Sequence, residues 1–375
     1  VTTEDLVRTA LDDVLDPEIG RPITELDMVE SVEIDDTTVV VTVLLTVSGC
    51  PMRDEITTRV EKAVYALDGV QTVRVILGVM NDEQRKALSV KVRGDRAEKE
   101  IPFAKPGNLT RVYAVASGKG GVGKSTVTTN LAAALQAQGL TVGVLDADIY
   151  GFSVPRMLGV TDRPTQVDEM IMPPQSHGIR VISIGMFVAD NAPVVWRGPM
   201  LHRALNQFLS DVFWGDLDVL LLDLPPGTGD IAISLSQLLP SAELIVVTTP
   251  QPAASEVAER AGSIATQTHQ RVVGVIENRS GMTMPDGSVL EVFGAGGGAD
   301  AAAGLSRTLG ADVPLLGSVP LDPKLRTSAD GGQPLVLSDP ESPAAQALLA
   351  IAAQLAGRPR GLAGMSLGIS PQRAG

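Results

Sequence analysis

Residues 118–126 read G-K-G-G-V-G-K-S-T, and no other stretch restricts the fold so tightly. The spacing is G-x-x-x-x-G-K-S/T, that of a loop wrapped around phosphates. Residues 111–117, R-V-Y-A-V-A-S, read as a short buried strand, and the residues from the loop to about Gln138 read as a helix. Strand, loop and helix in that order are the context such a loop requires. Gly118, Gly120, Gly121, Val122, Gly123 and Thr126 supply the backbone cradle, where N–H groups turn inward and side chains would obstruct. Lys124 reaches the β- and γ-phosphates, and the Ser125 hydroxyl is placed to ligate Mg²⁺. The helix N-terminus adds its positive dipole end.

Three further segments carry chemistry. Asp223 ends the run D-V-L-L-L-D and precedes L-P-P-G-T-G-D. A carboxylate at a buried strand end is costly without a partner. Magnesium, reached through water, would be that partner, which makes Asp223 the metal-side carboxylate. Gly227 and Gly229 let the following loop approach a γ-phosphate and move when it leaves. Asp146 and Asp148, in T-V-G-V-L-D-A-D-I-Y-G, are spaced by two and so share one side of an extended segment. Their mutual repulsion calls for Lys124 or a metal nearby. Asn278, in E-N-R-S, carries the donor and acceptor that an adenine edge presents in reverse. His177, His202 and His269 are scattered and form no motif.

The remaining pattern gives two domains and an α/β fold class. Residues 1–92 read as a small α+β domain, with helices at 3–15 and 51–67 and strands at 28–34, 38–47 and 70–77. Residues 93–107 turn charged and then Pro/Gly-bearing, as a linker does. From 108 to 357, apolar runs at 111–117, 141–146, 179–184, 218–223, 243–249, 271–277 and 315–319 alternate with helical stretches. That alternation implies a doubly wound, mostly parallel sheet with nucleotide at the carboxyl ends of its strands. Residues 358–375 read as a mobile tail. A net charge of −14 argues against a broad nucleic-acid surface. No apolar run approaches the roughly 20 residues of a membrane span. The N-terminal residues are acidic and unlike a signal peptide. A single cysteine, Cys50, excludes an intrachain disulfide, and a cytoplasmic protein is expected.

The loop carries a second lysine, Lys119, which cradling phosphate does not need. This variant resembles the deviant phosphate loop of the MinD, ParA, nitrogenase iron-protein and Mrp class. The resemblance implies ATP as the nucleotide and a homodimer in which Lys119 reaches the partner's nucleotide. It also implies that Asp148 orients the attacking water, that Asp146 supports the metal shell, and that Asn278 binds adenine. The segments L-D-A-D-I-Y-G-F-S-V-P-R-M-L-G, W-R-G-P-M with Arg197, D-L-P-P-G-T-G-D, E-N-R-S and G-S-V-P-L-D-P resemble the Mrp/ApbC iron–sulfur carrier ATPases in particular. Residues D-P-E-I-G and S-G-C-P-M-R-D-E-I are similar to the SufT and PaaD type of assembly domain. Together they imply an ATPase that delivers iron–sulfur clusters to apo-proteins, with assembly factors as further partners.

One departure matters. Many members of that family carry C-x-x-C shortly after E-N-x-S, where two subunits hold a bridging cluster. Residues 281–288 here read G-M-T-M-P-D-G-S. A homodimer offers two thiolates where a four-iron cluster takes four, and Met282 and Met284 are poor substitutes. Cys50 precedes Pro51, near a helix N-terminus that favours thiolate. A two-iron cluster shared between chains, a persulfide or metal relay, and a half-buried structural cysteine all fit it. A nucleotide-gated scaffold and a MinD/ParA-like positioning switch therefore stand beside the carrier. The Ala/Leu-rich segment 343–356 has no Lys or Arg, unlike a basic membrane-seeking helix.

Overall fold

The chain is described here by a computed structural model over residues 3–46, 52–93, 100–148, 151–187, 198–227, 230–251, 254–284 and 286–358. Cys50, Arg197, Gly229, the first part of the expected linker and the tail from 359 lie outside the described residues.

The first domain begins with α1 (Glu4–Leu11), capped by the Thr3 hydroxyl and burying Val7 and Leu11. The expected helix to residue 15 stops early. Leu15 instead bridges Pro22, and the Asp16 carboxylate accepts N–H bonds from Glu18 and Ile19 at 2.9 and 2.7 Å. Strands β1 (Val29–Asp35) and β2 (Thr38–Leu45) form an antiparallel pair. Helix α2 (Arg53–Tyr65) buries Ile56, Val60 and Val64, one face at a spacing of four. Strand β3 (Thr72–Val79) then pairs parallel to β2. Helix α3 (Asp82–Arg93) follows where the sequence pattern assigns no element.

In the second domain β4 (Arg111–Ala116) leads through the loop to α4 (Lys124–Ala137). Next come β5 (Val142–Asp146), the short α5 (Val154–Met157), a hairpin of β6 (Thr165–Val167) and β7 (Met170–Met172), and β8 (Gln175–Ser176) with β9 (Ile179–Ser183). The alternation continues through α6 (Gly198–Ser210), β10 (Val219–Asp223), α7 (Asp230–Leu238), β11 (Glu243–Thr248), α8 (Ala254–Thr268) and β12 (Val272–Ser280). A small hairpin of β13 (Met282–Thr283) and β14 (Val289–Leu290) precedes α9 (Gly297–Leu309) and β15 (Leu315–Pro320). Helices α10 (Pro323–Asp330), α11 (Leu335–Ser338) and α12 (Pro343–Ala356) close the chain.

The main sheet has the order β15-β12-β11-β4-β10-β5-β9-β8, parallel except for the β8 edge. Its inner strands are mainly apolar, as V-L-L-L-D of β10 and V-G-V-L-D of β5 show, because both faces are covered. On β4, Val112, Ala114 and Ala116 join one core while Tyr113 and Val115 join the other, the period of two expected of a strand. Helix α4 is buried nearly all round, from Val127 to Leu135, between the sheet and α11 and α12. The chain leaves central β4 toward β5 on one side and later returns to β11 on the other, so a crevice opens at the carboxyl end of β4.

Two regions depart from the sequence pattern. Residues 100–107 are not a free linker: Phe103 is 4% exposed and packs edge-on against Trp214, centroids 6.4 Å apart. Val167, Met170 and Met172 of the β6–β7 hairpin are buried in the core of the first domain, which docks the two domains on each other.

Candidate nucleotide site

The loop between β4 and α4 is held from every side. Gly121 and Gly123 take φ values of +76° and +83°, the left-handed region in which glycine is at home. A Cβ on Gly123 would sit 2.2 Å from Asn278 Nδ2. Val122 is 2% exposed and pins the loop into the core. Its carbonyl accepts a bond from Asn278 Nδ2 at 2.8 Å. Gly227 N–H donates to the Ser117 carbonyl at 2.9 Å, and Arg260 Nη1 to the Gly118 carbonyl at 3.1 Å.

Asp223 is the hub. It is fully buried and stands between Val115 of β4 and Asp146 of β5 in the register of the sheet. Ser125 Oγ donates to its Oδ2 at 2.6 Å and Thr128 Oγ1 to its Oδ1 at 2.7 Å. Lys124 Nζ, also buried, lies 2.7 Å from Oδ2 as an ion pair, without the geometry of a hydrogen bond. An ammonium has three protons to donate, and this one lines a cavity with Gly120, Gly121 and Gly123 at the start of α4, a setting that fits a phosphate. The donor set fits Mg²⁺ as well: one carboxylate and one hydroxyl, both hard oxygen, side by side. Ser125 and Asp223 would hold it.

The two carboxylates spaced by two do different things. β5 ends at Asp146, so alternation does not carry through to Asp148. Asp148 lines a cavity of about 220 Å³ together with Gly120, Lys124 and Ser125, whereas Asp146 is not among its lining residues. Asp146, fully buried, accepts from Asp148 N–H at 3.2 Å, Val154 N–H at 3.3 Å and Ser183 Oγ at 3.1 Å. Burial, and then the charge of Asp223, push its pKa well above the usual carboxylate range. Its contacts are those of a group that shapes the segment after β5, one strand away from Ser125.

The other expected residues are nearby. Lys119 is half-buried, and its Nζ donates to Gln251 Oε1 of the same chain at 2.9 Å. Gly118 is buried and Thr126 half-buried at the first turn of α4. Asn278 is 4% exposed and lines a second cavity of about 440 Å³ with Gly123, Thr126, Phe293 and Leu321. One of its amide protons is committed to Val122, which leaves the other and Oδ1 for an adenine edge. Beyond the β12 strand, Met282 and Thr283 form β13, paired with β14 at Val289–Leu290, with Met282 half-buried. Sequence reasoning missed Thr128, Ser183, Gln251 and Arg260. Thr128 alone had a signal, one helical turn after Lys124; the others are ordinary residues brought in from β9, from the segment after β11 and from α8.

Comparison with known proteins agrees with this geometry. A model of the NUBPL iron-transfer P-loop NTPase family matches residues 108–356, and an iron-sulfur cluster assembly protein model matches residues 4–75. The iron-sulfur cluster carrier protein of Mycobacterium bovis is 64% identical over 368 residues, covering 98% of this chain and 97% of its own. The protein of that name from Synechocystis is 42% identical over 364 residues, covering 95% and 98%. Among solved structures, a nucleotide-binding protein of Archaeoglobus fulgidus in complex with ADP is similar with a TM-score of 0.53 at 34% identity, over 64% of this chain and 93% of that one.

Proposed function

The chain belongs to the NUBPL-type iron-transfer P-loop NTPases, and from that membership we propose that it is an iron–sulfur cluster carrier that binds and hydrolyses ATP. The observation that carries the reading is the likeness to carrier proteins across both domains, 64% identity over 98% of the chain. The geometry around Asp223 supports the ATP half of it.

Residues 118–126 bind the phosphates through backbone N–H groups, with Lys124 and the dipole of α4 countering their charge. Mg²⁺, held by Ser125 and through water by Asp223, would neutralise charge on the β- and γ-phosphates. Asp148, on the phosphate cavity, orients the attacking water. Asp146 shapes the segment that carries Asp148. Asn278 reads the adenine. Lys119 exchanges Gln251 for the nucleotide of a second copy, which makes the homodimer the hydrolysing unit. Clusters pass to apo-proteins as cargo. Among the described residues no helix is long and apolar enough to cross a membrane.

A second reading, a nucleotide-gated scaffold, is favoured by one observation: residues 281–288 contain no cysteine, and Cys50 is the sole thiol in the chain. One experiment tests the carrier reading and separates the two. Protein reconstituted anaerobically with iron and sulfide, wild type beside Cys50→Ser, is mixed with an apo-enzyme with and without ATP. A carrier restores the enzyme's activity; binding of the apo-enzyme with no restored activity leaves the scaffold.

A further inference from the structure

The register of β12 against β15 slips between Asn278 and Ser280. Asn278 pairs with Val319 and Ser280 with Pro320, so Arg279 is the extra residue of a bulge. Its φ is +64°, a backbone conformation that a residue bearing Cβ disfavours. Bulges re-aim a side chain, and this one re-aims Arg279 to the boundary between two cavities. The smaller cavity is floored by the phosphate loop. The larger is bounded by Asn278, Phe293 and Leu321. Gly123, Thr126, Met157 and Arg279 line both. Of these four only Arg279 is charged. Arg326 also lines the larger cavity, but not the smaller. The Arg279 guanidinium carbon lies 5.9 Å from the centre of the Phe293 ring, a cation–π contact that fixes the direction of the side chain.

We propose that Arg279 recognises the α-phosphate of the bound nucleotide at this boundary. The inference rests on the ATP reading above. With the terminal phosphates in the smaller cavity and the nucleoside in the larger, the α-phosphate crosses between them, where a planar guanidinium can meet two of its oxygens at once. Lys124 acts on the other end of the triphosphate. Arg279 therefore contributes equally to diphosphate and triphosphate binding, and it stays engaged when the γ-phosphate leaves.

Calorimetry on the full chain with Mg²⁺ and either ADP or the non-hydrolysable imido analogue of ATP tests this. Arg279→Gly suits the left-handed backbone, so its thermal midpoint should equal or exceed that of the wild type. The variant should bind both nucleotides about 10- to 30-fold more weakly, as expected for loss of a charged hydrogen-bonding side chain. Arg279→Lys should recover part of the loss. Unchanged affinity in Arg279→Gly beside a wild type that binds would overturn the inference alone, and so would a loss confined to the triphosphate analogue. A wild type that binds neither nucleotide removes the ATP reading together with this one.

Discussion

At the scale of single residues, the site is organised by how each buried charge finds its partners. Asp223 accepts from two hydroxyls and is ion-paired with an ammonium, all from the first turns of α4, so the loop and the carboxylate position each other. Lys124→Ala removes the cation proposed to meet the terminal phosphates. The dissociation constant for Mg-ATP should rise at least about 100-fold by calorimetry. Lys119→Ala should leave that constant within about twofold while phosphate release falls at least about 100-fold, because in the proposed mechanism its charge acts in the transition state of the partner's reaction. Unchanged turnover would remove the role across the dimer. Glu18 in the first domain is a different case. Burial, then the charge of Asp16, push its pKa up to about 7, from 4.5. The folded protein holds a proton there that the unfolded chain releases, so the stability this group contributes is full below pH 4.5 and lost as pH rises through 7. Glu18→Gln should raise the thermal midpoint at pH 8, with the margin shrinking toward pH 5. An equal margin at both pH values would contradict the titration.

At the scale of elements, what could be read from sequence was whatever local chemistry decides. V-L-L-L-D of β10 and E-L-I-V-V-T of β11 are unbroken apolar runs because helices cover both faces of the sheet, and their ends fall within a residue of expectation. The phosphate loop was legible because its parts are covalent neighbours. The β6–β7 hairpin was not, since strands of three residues are too short to display a period. Helix α3 is polar over most of its surface, with Leu88 buried, and so gives no amphipathic signal. The bulge at Arg279 depends on β15, some forty residues further on. The Lys119–Gln251 bond likewise joins residues that only the sheet brings together. Phe103 is the sharpest case: the stretch from 93 to 107 is charged and then Pro/Gly-bearing, so composition reads a linker, while one ring buried against Trp214 ties the segment to the second domain. Phe103→Ala should lower the stability of that domain by about 3 kcal/mol in urea unfolding followed by tryptophan fluorescence. A loss below about 0.5 kcal/mol would mark the segment as a surface strap.

At the scale of the whole molecule, the fold puts the nucleotide and the first domain at two ends of one continuous stretch of chain. Asp148 lines the phosphate cavity. Six residues later α5 begins, its first N–H held by Asp146. The chain then enters the β6–β7 hairpin, whose Val167, Met170 and Met172 complete the core of the first domain. The backbone of Ile171 is meanwhile bonded to Asp211 and Phe213 of the second domain at 2.9 and 2.8 Å. The hairpin is thus anchored by its backbone to one domain and by its Val167, Met170 and Met172 side chains to the other, and Phe213 of the second domain packs against the same core. Met170 is fully buried there. Met170→Ser puts a hydroxyl and a void into that contact, a loss of about 2–5 kcal/mol. Trypsin should then cut at the basic positions of residues 93–99, R-G-D-R-A-E-K, at least about tenfold faster than in wild type. The affinity for Mg-ADP should stay within twofold, since Met170 does not line the phosphate cavity. Equal cleavage rates would mean that the two domains are held by something other than this hairpin. Faster cleavage with weakened nucleotide binding would mean that docking of the first domain itself shapes the phosphate site.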